Sequence, residues 1–103
     1  MAISNTVLST NDGNIYVSSG SSAITAIYLC NAGGTGTQTV NIYAVPSGST
    51  AGATTYIYQN LSITDGDTYV IDTEKLILDD GDHLVANCSA NVSVVATISS
   101  IGI

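Results

Sequence analysis

Residues 76–101, LILDDGDHLVANCSANVSVVATISSI, decide the fold class. Two runs, 84–90 and 92–101, flank a Ser-Ala-Asn corner at 89–91, and the Asp-Asp-Gly-Asp segment at 79–82 supplies the turn before them. Leu84, Ala86, Cys88 and Ala90 share one parity in the first run; Val92, Val94, Ala96 and Ile98 share it in the second. A period of two is that of a half-buried strand, whose successive side chains point to opposite faces. The stretch therefore predicts a β-hairpin with one apolar face. Such a face is stable only when a second sheet covers it.

Outward from there the chain continues in the same style. Residues 3–8 read as a short first strand or, with the rest of 1–12, as an N-terminal arm. Asn-Asp-Gly-Asn at 11–14 is a turn, 15–18 a brief strand and 19–22 a loop. Residues 23–31, AITAIYLCN, are apolar on both faces and read as a central strand. The Gly-rich 32–37 reads as a hairpin loop, followed by an alternating strand at 39–45. Pro46 ends it, because proline lacks the N–H a ladder needs. The small-residue segment 47–54 reads as a crossing between sheets. Strand 55–63 carries an expected irregularity at Gln59 and Asn60, a turn at 65–67 leads into 68–72, and 73–75 bridge to 76–78.

About eight short strands and no helix predict one domain over 1–103: an antiparallel β-sandwich, immunoglobulin-like or jelly-roll. The expected core is Ile24, Ala26, Tyr28, Cys30, Val40, Ile42, Leu84, Ala86, Cys88, Val94, Ala96 and Ile98. Composition agrees. Val, Ile and Thr abound, there is no Phe or Trp, and 45% of the 103 residues are apolar, enough for a core.

Charge excludes more than it suggests. Eight acids face one cation, Lys75, for a formal net charge of −7. Phosphate backbones and anionic membranes are bound by clustered Lys and Arg, so neither nucleic acid nor membrane is an expected partner. The N-terminal MAISNTVLST has neither a basic region nor an apolar core and does not read as a signal peptide. The N-x-S sequons at Asn60, Asn87 and Asn91 are then chance occurrences in an Asn- and Ser-rich chain.

Residue types capable of chemistry are few. The two Asp-Gly-Asp segments, 65–67 and 80–82, bring carboxylates together as calcium sites do, but with too few ligands each and not at the spacing of a calcium loop. Turn chemistry explains them better: Asp bonding nearby backbone, Gly taking positive φ. Cys30 and Cys88 both fall on the apolar parity of their strands. They are expected as neighbouring, reduced thiols in the core rather than as a cystine. His83, the sole histidine, reads as a solvent-facing strand residue, and no serine sits in a nucleophile elbow. No catalytic, cofactor-binding or metal-binding residue is assigned, and an enzyme is not expected.

Three segments, NIYAVPSGSTAGATTYIYQN (41–60), ITDGDTYVIDTEKLILDDGDHL (63–84) and CSANVSVVATISSIGI (88–103), carry a resemblance. In this order a "VPSGG-AG" loop, a "GDTY" turn and a "L–GD–L–A–SA" hairpin resemble small virion structural proteins of tailed bacteriophages, including those of marine cyanophages. The resemblance spans roughly 23–100; Ser49 stands where a second glycine occurs, and the two cysteines are a departure. It implies a non-enzymatic virion component present in many copies, partnered by the major capsid protein, another virion protein or itself. A capsid decoration or cement protein on the outer surface is the leading expectation; a tail, neck or fibre component is the alternative. A third reading is a carbohydrate- or receptor-binding module, for which Tyr43, Tyr56 and Tyr58 would have to cluster on an exposed loop end.

Overall fold

The computed structural model describes residues 2–33, 36–71, 76–89 and 94–102. Nine strands are present among them: β1 (Ala2–Val7), β2 (Gly13–Val17), β3 (Ser22–Asn31), β4 (Gln38–Val45), β5 (Tyr56–Ile63), β6 (Thr68–Ile71), β7 (Leu76–Leu78), β8 (His83–Cys88) and β9 (Val94–Gly102). They form two antiparallel sheets. The first has the order β1-β9-β3-β6, with β7 also pairing β3 beyond the end of β6; the second has the order β2-β8-β4-β5. The chain stays within a sheet only at β4–β5 and β6–β7 and otherwise crosses at every connection. A five-strand and a four-strand layer wound in this order make a jelly-roll sandwich rather than an immunoglobulin one.

The connectivity corrects four local expectations. Residues 84–101 do not form a hairpin: β8 lies between β2 and β4, while β9 lies between β1 and β3 in the opposite sheet. Leu84, Ala86 and Cys88 thus face Val94, Ala96 and Ile98 across the core instead of lying beside them, and all six are at most 4% exposed. The same alternation serves both arrangements. The corner at 90–91 lies outside the described residues. The Gly-rich 32–37 is a crossing, not a hairpin loop, and 47–54 closes the β4–β5 hairpin instead of crossing. Residues 2–7 are not a free arm but strand β1, registered against β9 from Ala2↔Ser100 to Val7↔Val95.

In β3 the expected parity fails midway. Its register against β9 slips between Ile24 and Ala26, leaving Thr25 as an extra residue. A bulge of one residue transfers every later side chain to the other face. Ile27 and Leu29 are therefore in the core, and Tyr28, 41% exposed, and Cys30, half-buried, lie on the outer face. Thr25 turns outward, its Oγ1 3.0 Å from the Ser99 carbonyl oxygen. The irregularity expected at Gln59 and Asn60 is present: Asn60 has φ of 56° and its N–H donates to Asn41 Oδ1 (2.8 Å).

Gly81 occupies a turn with φ of 86°, and a Cβ there would meet Ser47 Oγ at 2.5 Å. Gly81→Ala is expected to cost about 1–2 kcal/mol from the left-handed backbone alone. Displacement of Ser47 adds to that. Urea unfolding should show a lower midpoint at unchanged slope.

Candidate functional site

The turns at one end of the sandwich are held by carboxylates. Asp82 Oδ2 accepts the Asp79 N–H (3.0 Å), closing its own turn, and Oδ1 accepts the Ser47 N–H (2.9 Å) at the start of the β4–β5 loop. Asp80 Oδ1 accepts the Gly20 N–H (2.9 Å), tying in the β2–β3 turn. The earlier Asp-Gly-Asp segment works through its backbone: Gly66 N–H donates to the Asn31 carbonyl (2.8 Å), and Asn31 N–H to the Asp67 carbonyl (2.9 Å). Both segments are turn-builders. Among the described residues no group of three or more His, Cys, Asp or Glu side chains is arranged to hold a metal.

The Ser47 and Asp79 N–H groups stabilise the ionised Asp82 carboxyl and lower its pKa. A depressed carboxyl pKa stabilises the fold above the unfolded value and ceases to do so as pH falls through the folded value. Asp82→Ala should therefore lower stability at neutral pH, with the gap to the wild type beginning to close below about pH 4 and closing only once pH has passed the lower folded value. Urea midpoints measured across that range check it; a pH-independent difference would refute it.

The outer face of the second sheet is covered at one end by the β4–β5 loop. Tyr43, Val45 and Val85 are buried there, with Ala51 of the loop and Tyr56 packed against them. The Tyr43 and Tyr56 rings stack with centroids 4.5 Å apart. The Tyr43 hydroxyl bonds that of Tyr56 (3.2 Å), which, with burial, raises the Tyr43 pKa. Tyr58 instead packs against the main core. The three tyrosines thus do not make an exposed platform. His83 is half-buried rather than solvent-facing, with Nδ1 3.1 Å from the Gly81 carbonyl oxygen. It lines a shallow cleft with Asp12, Asn14, Ser49 and Thr50.

Both cysteines are thiols, as expected, but they are not neighbours. Cys88 is in the core, whereas the bulge in β3 sends Cys30 to the outside of the first sheet. An apolar cavity of about 300 Å³ opens between the sheets where β5 meets β6 and β7, lined by Ile24, Ile27, Ile57, Tyr58, Ile71 and Leu76.

The outer face of the first sheet is of a different kind. Ile3, Asn5 and Val7 of β1 stand on it, beside Val95, Thr97, Ser99 and Ile101 of β9. Tyr28 and Cys30 of β3, Val70 of β6 and Ile77 of β7 complete it. No charged side chain lies on this face among the described residues.

No family model, curated protein or solved structure matches the chain. Its function rests on its own residues and surfaces.

Proposed function

We propose that this chain is a non-enzymatic structural subunit of a phage virion, decorating the outside of the capsid in many copies. The carrying observation is where the three motifs of the resemblance fall in the fold. The 45–52 loop folds over the second sheet, the Gly-Asp-Thr-Tyr turn at 66–69 starts β6, and the Gly-Asp at 81–82 caps the turn into β8. Each motif residue with a clear role shapes the backbone: Gly48, Gly66 and Gly81 have positive φ, and Asp82 caps two N–H groups. Motifs of this kind are shared for a scaffold rather than for a reaction.

Charge supports an outward position. A domain with one cation and eight acids is repelled by packaged DNA. The burial of Tyr43 beneath the β4–β5 loop weighs against the sugar-binding reading. A density map of the intact virion tests the proposal. Copies tiling the capsid exterior are the expected result; a few copies at the neck or tail, or contacts with DNA, would reject it.

A further inference from the structure

We infer that the outer face of the first sheet is a self-association surface, on which a second copy of this chain stacks sheet against sheet. The inference goes beyond the virion reading and does not depend on it, since a dimer can form in solution without a particle.

Nine large apolar residues are exposed among the described residues, and six of them share this face: Ile3 (74%), Ile77 (63%), Val7, Val70, Tyr28 and Ile101. The other three, Val17, Ile57 and Tyr69, do not join it. Apolar exposure concentrated on one flat surface marks a contact rather than the scatter normal to a monomer. Several of the polar groups between them are already engaged within the face. Thr97 Oγ1 donates to Asn5 Oδ1 (2.9 Å), and Thr25 Oγ1 lies 2.9 Å from Ser99 Oγ. Covering them costs little, because satisfied groups lose few bonds to water.

Charge selects the occupant. Every described acid lies in a turn, at 12, 65, 67, 79, 80 or 82, and none lies on the sheet face. Two copies of net charge −7 repel wherever their turns meet. On this face they stack with no carboxylate between them among the described residues. A basic foreign partner would be steered to the acidic turns instead. Area is sufficient. Four strands about 4.8 Å apart and some eight residues long at about 3.3 Å each give about 500 Å² per copy. The pair buries about 1,000 Å², the lower bound for a specific interface. A two-fold axis through the face would set Tyr28 near its own counterpart.

Sedimentation equilibrium of the isolated chain tests this. The wild type should move from monomer to dimer with concentration. Tyr28→Glu, which sets like charges against each other at the centre, should weaken the dimer at least tenfold, while Val17→Glu, outside the face, should leave it unchanged. Should Tyr28→Glu not fold, alkylation of the native Cys30 decides the matter: its rate should fall as protein concentration rises. A wild type that stays monomeric, with Cys30 equally reactive throughout, would overturn the inference. So would variants that both retain or both lose the dimer, or a monomer whose face binds a different protein.

Discussion

Leu84→Ala is expected to lower stability by about 3 kcal/mol, within the range for buried leucines. Leu84 is fully buried in a central strand, registered between Tyr16 of β2 and Ala44 of β4. Its side chain faces the other sheet, so truncation opens a void between two layers whose backbones are fixed by their own ladders. Neither layer can close on the gap without breaking cross-strand bonds, and the cavity penalty adds to the lost transfer energy. For a domain this size the melting temperature should fall by about 12–20 °C. Differential scanning calorimetry reads it directly. A fall of only a few degrees would mean that the sheets slide together and that the core is less rigidly layered than described.

Asn31→Asp should be the more informative change, because its effect depends on pH. Asn31 is fully buried at the end of β3, and its Nδ2 donates to the carbonyls of Gly36 and Ile63, both at 2.9 Å. That amide joins the crossing after β3 to the end of β5, in the opposite sheet. An aspartate there points oxygen at two carbonyl oxygens and must be buried either charged or protonated. The charged form is heavily penalised, so the folded carboxyl pKa rises above the unfolded one. With a raised pKa the loss is smallest in acid and grows as pH rises above the unfolded value of about 3.9. The expected deficit is on the order of 4 kcal/mol at pH 7. Near pH 3, where the protonated acid regains one donor, it should shrink to about 1–2 kcal/mol. Urea midpoints of variant and wild type, compared across this range, should diverge with rising pH. A constant gap would show that the lost bonds matter and the buried charge does not.

The alternation of β4, β8 and β9 was legible because each keeps its own parity along its inward residues, Val40 and Ile42, the even positions of 84–88 and those of 94–98, while the register shifts opposite β4 and β8 fall in their partners β5 and β2. The second half of β3 was not. Ala23 to Asn31 is apolar at nearly every position, so its sequence carries no parity, and a bulge at Thr25 leaves no glycine or proline to announce it. The connections were misread for a related reason. Gly-rich 32–37 resembles a tight turn and 47–54 resembles a long traverse, yet loop length does not say whether the next strand joins the same layer. In a sandwich, inward faces alternate identically for strands side by side and strands face to face. The outer surface of the first sheet was hidden with β3: Tyr28 and Cys30 had been placed in the core, which left too few apolar residues outside to suggest a contact. The buried Tyr43 was equally out of reach, since only the fold of the β4–β5 loop covers it.

The pairing of β1 with β9 bears on how the chain reaches this state. Ala2 is registered with Ser100, and among the described residues β9, the last strand, is the only element joining β1 to β3. The first sheet therefore has no centre until the final strand arrives. Local hairpins such as β4–β5 can form early, but the loop closure that unites the layers spans nearly the whole chain, so collapse should be slow, on the order of milliseconds to seconds. During synthesis β3 must wait unpaired along the edge that β9 will take, and the inner residues of β8 that face Val94, Ala96 and Ile98 stay uncovered. A chain released short of residue 94 can pair the second sheet and β3 with β6 and β7, but β1 has no partner strand in the first sheet. Completeness is thus built into the topology as a condition of folding, and a copy that presents the uncharged face has already passed it.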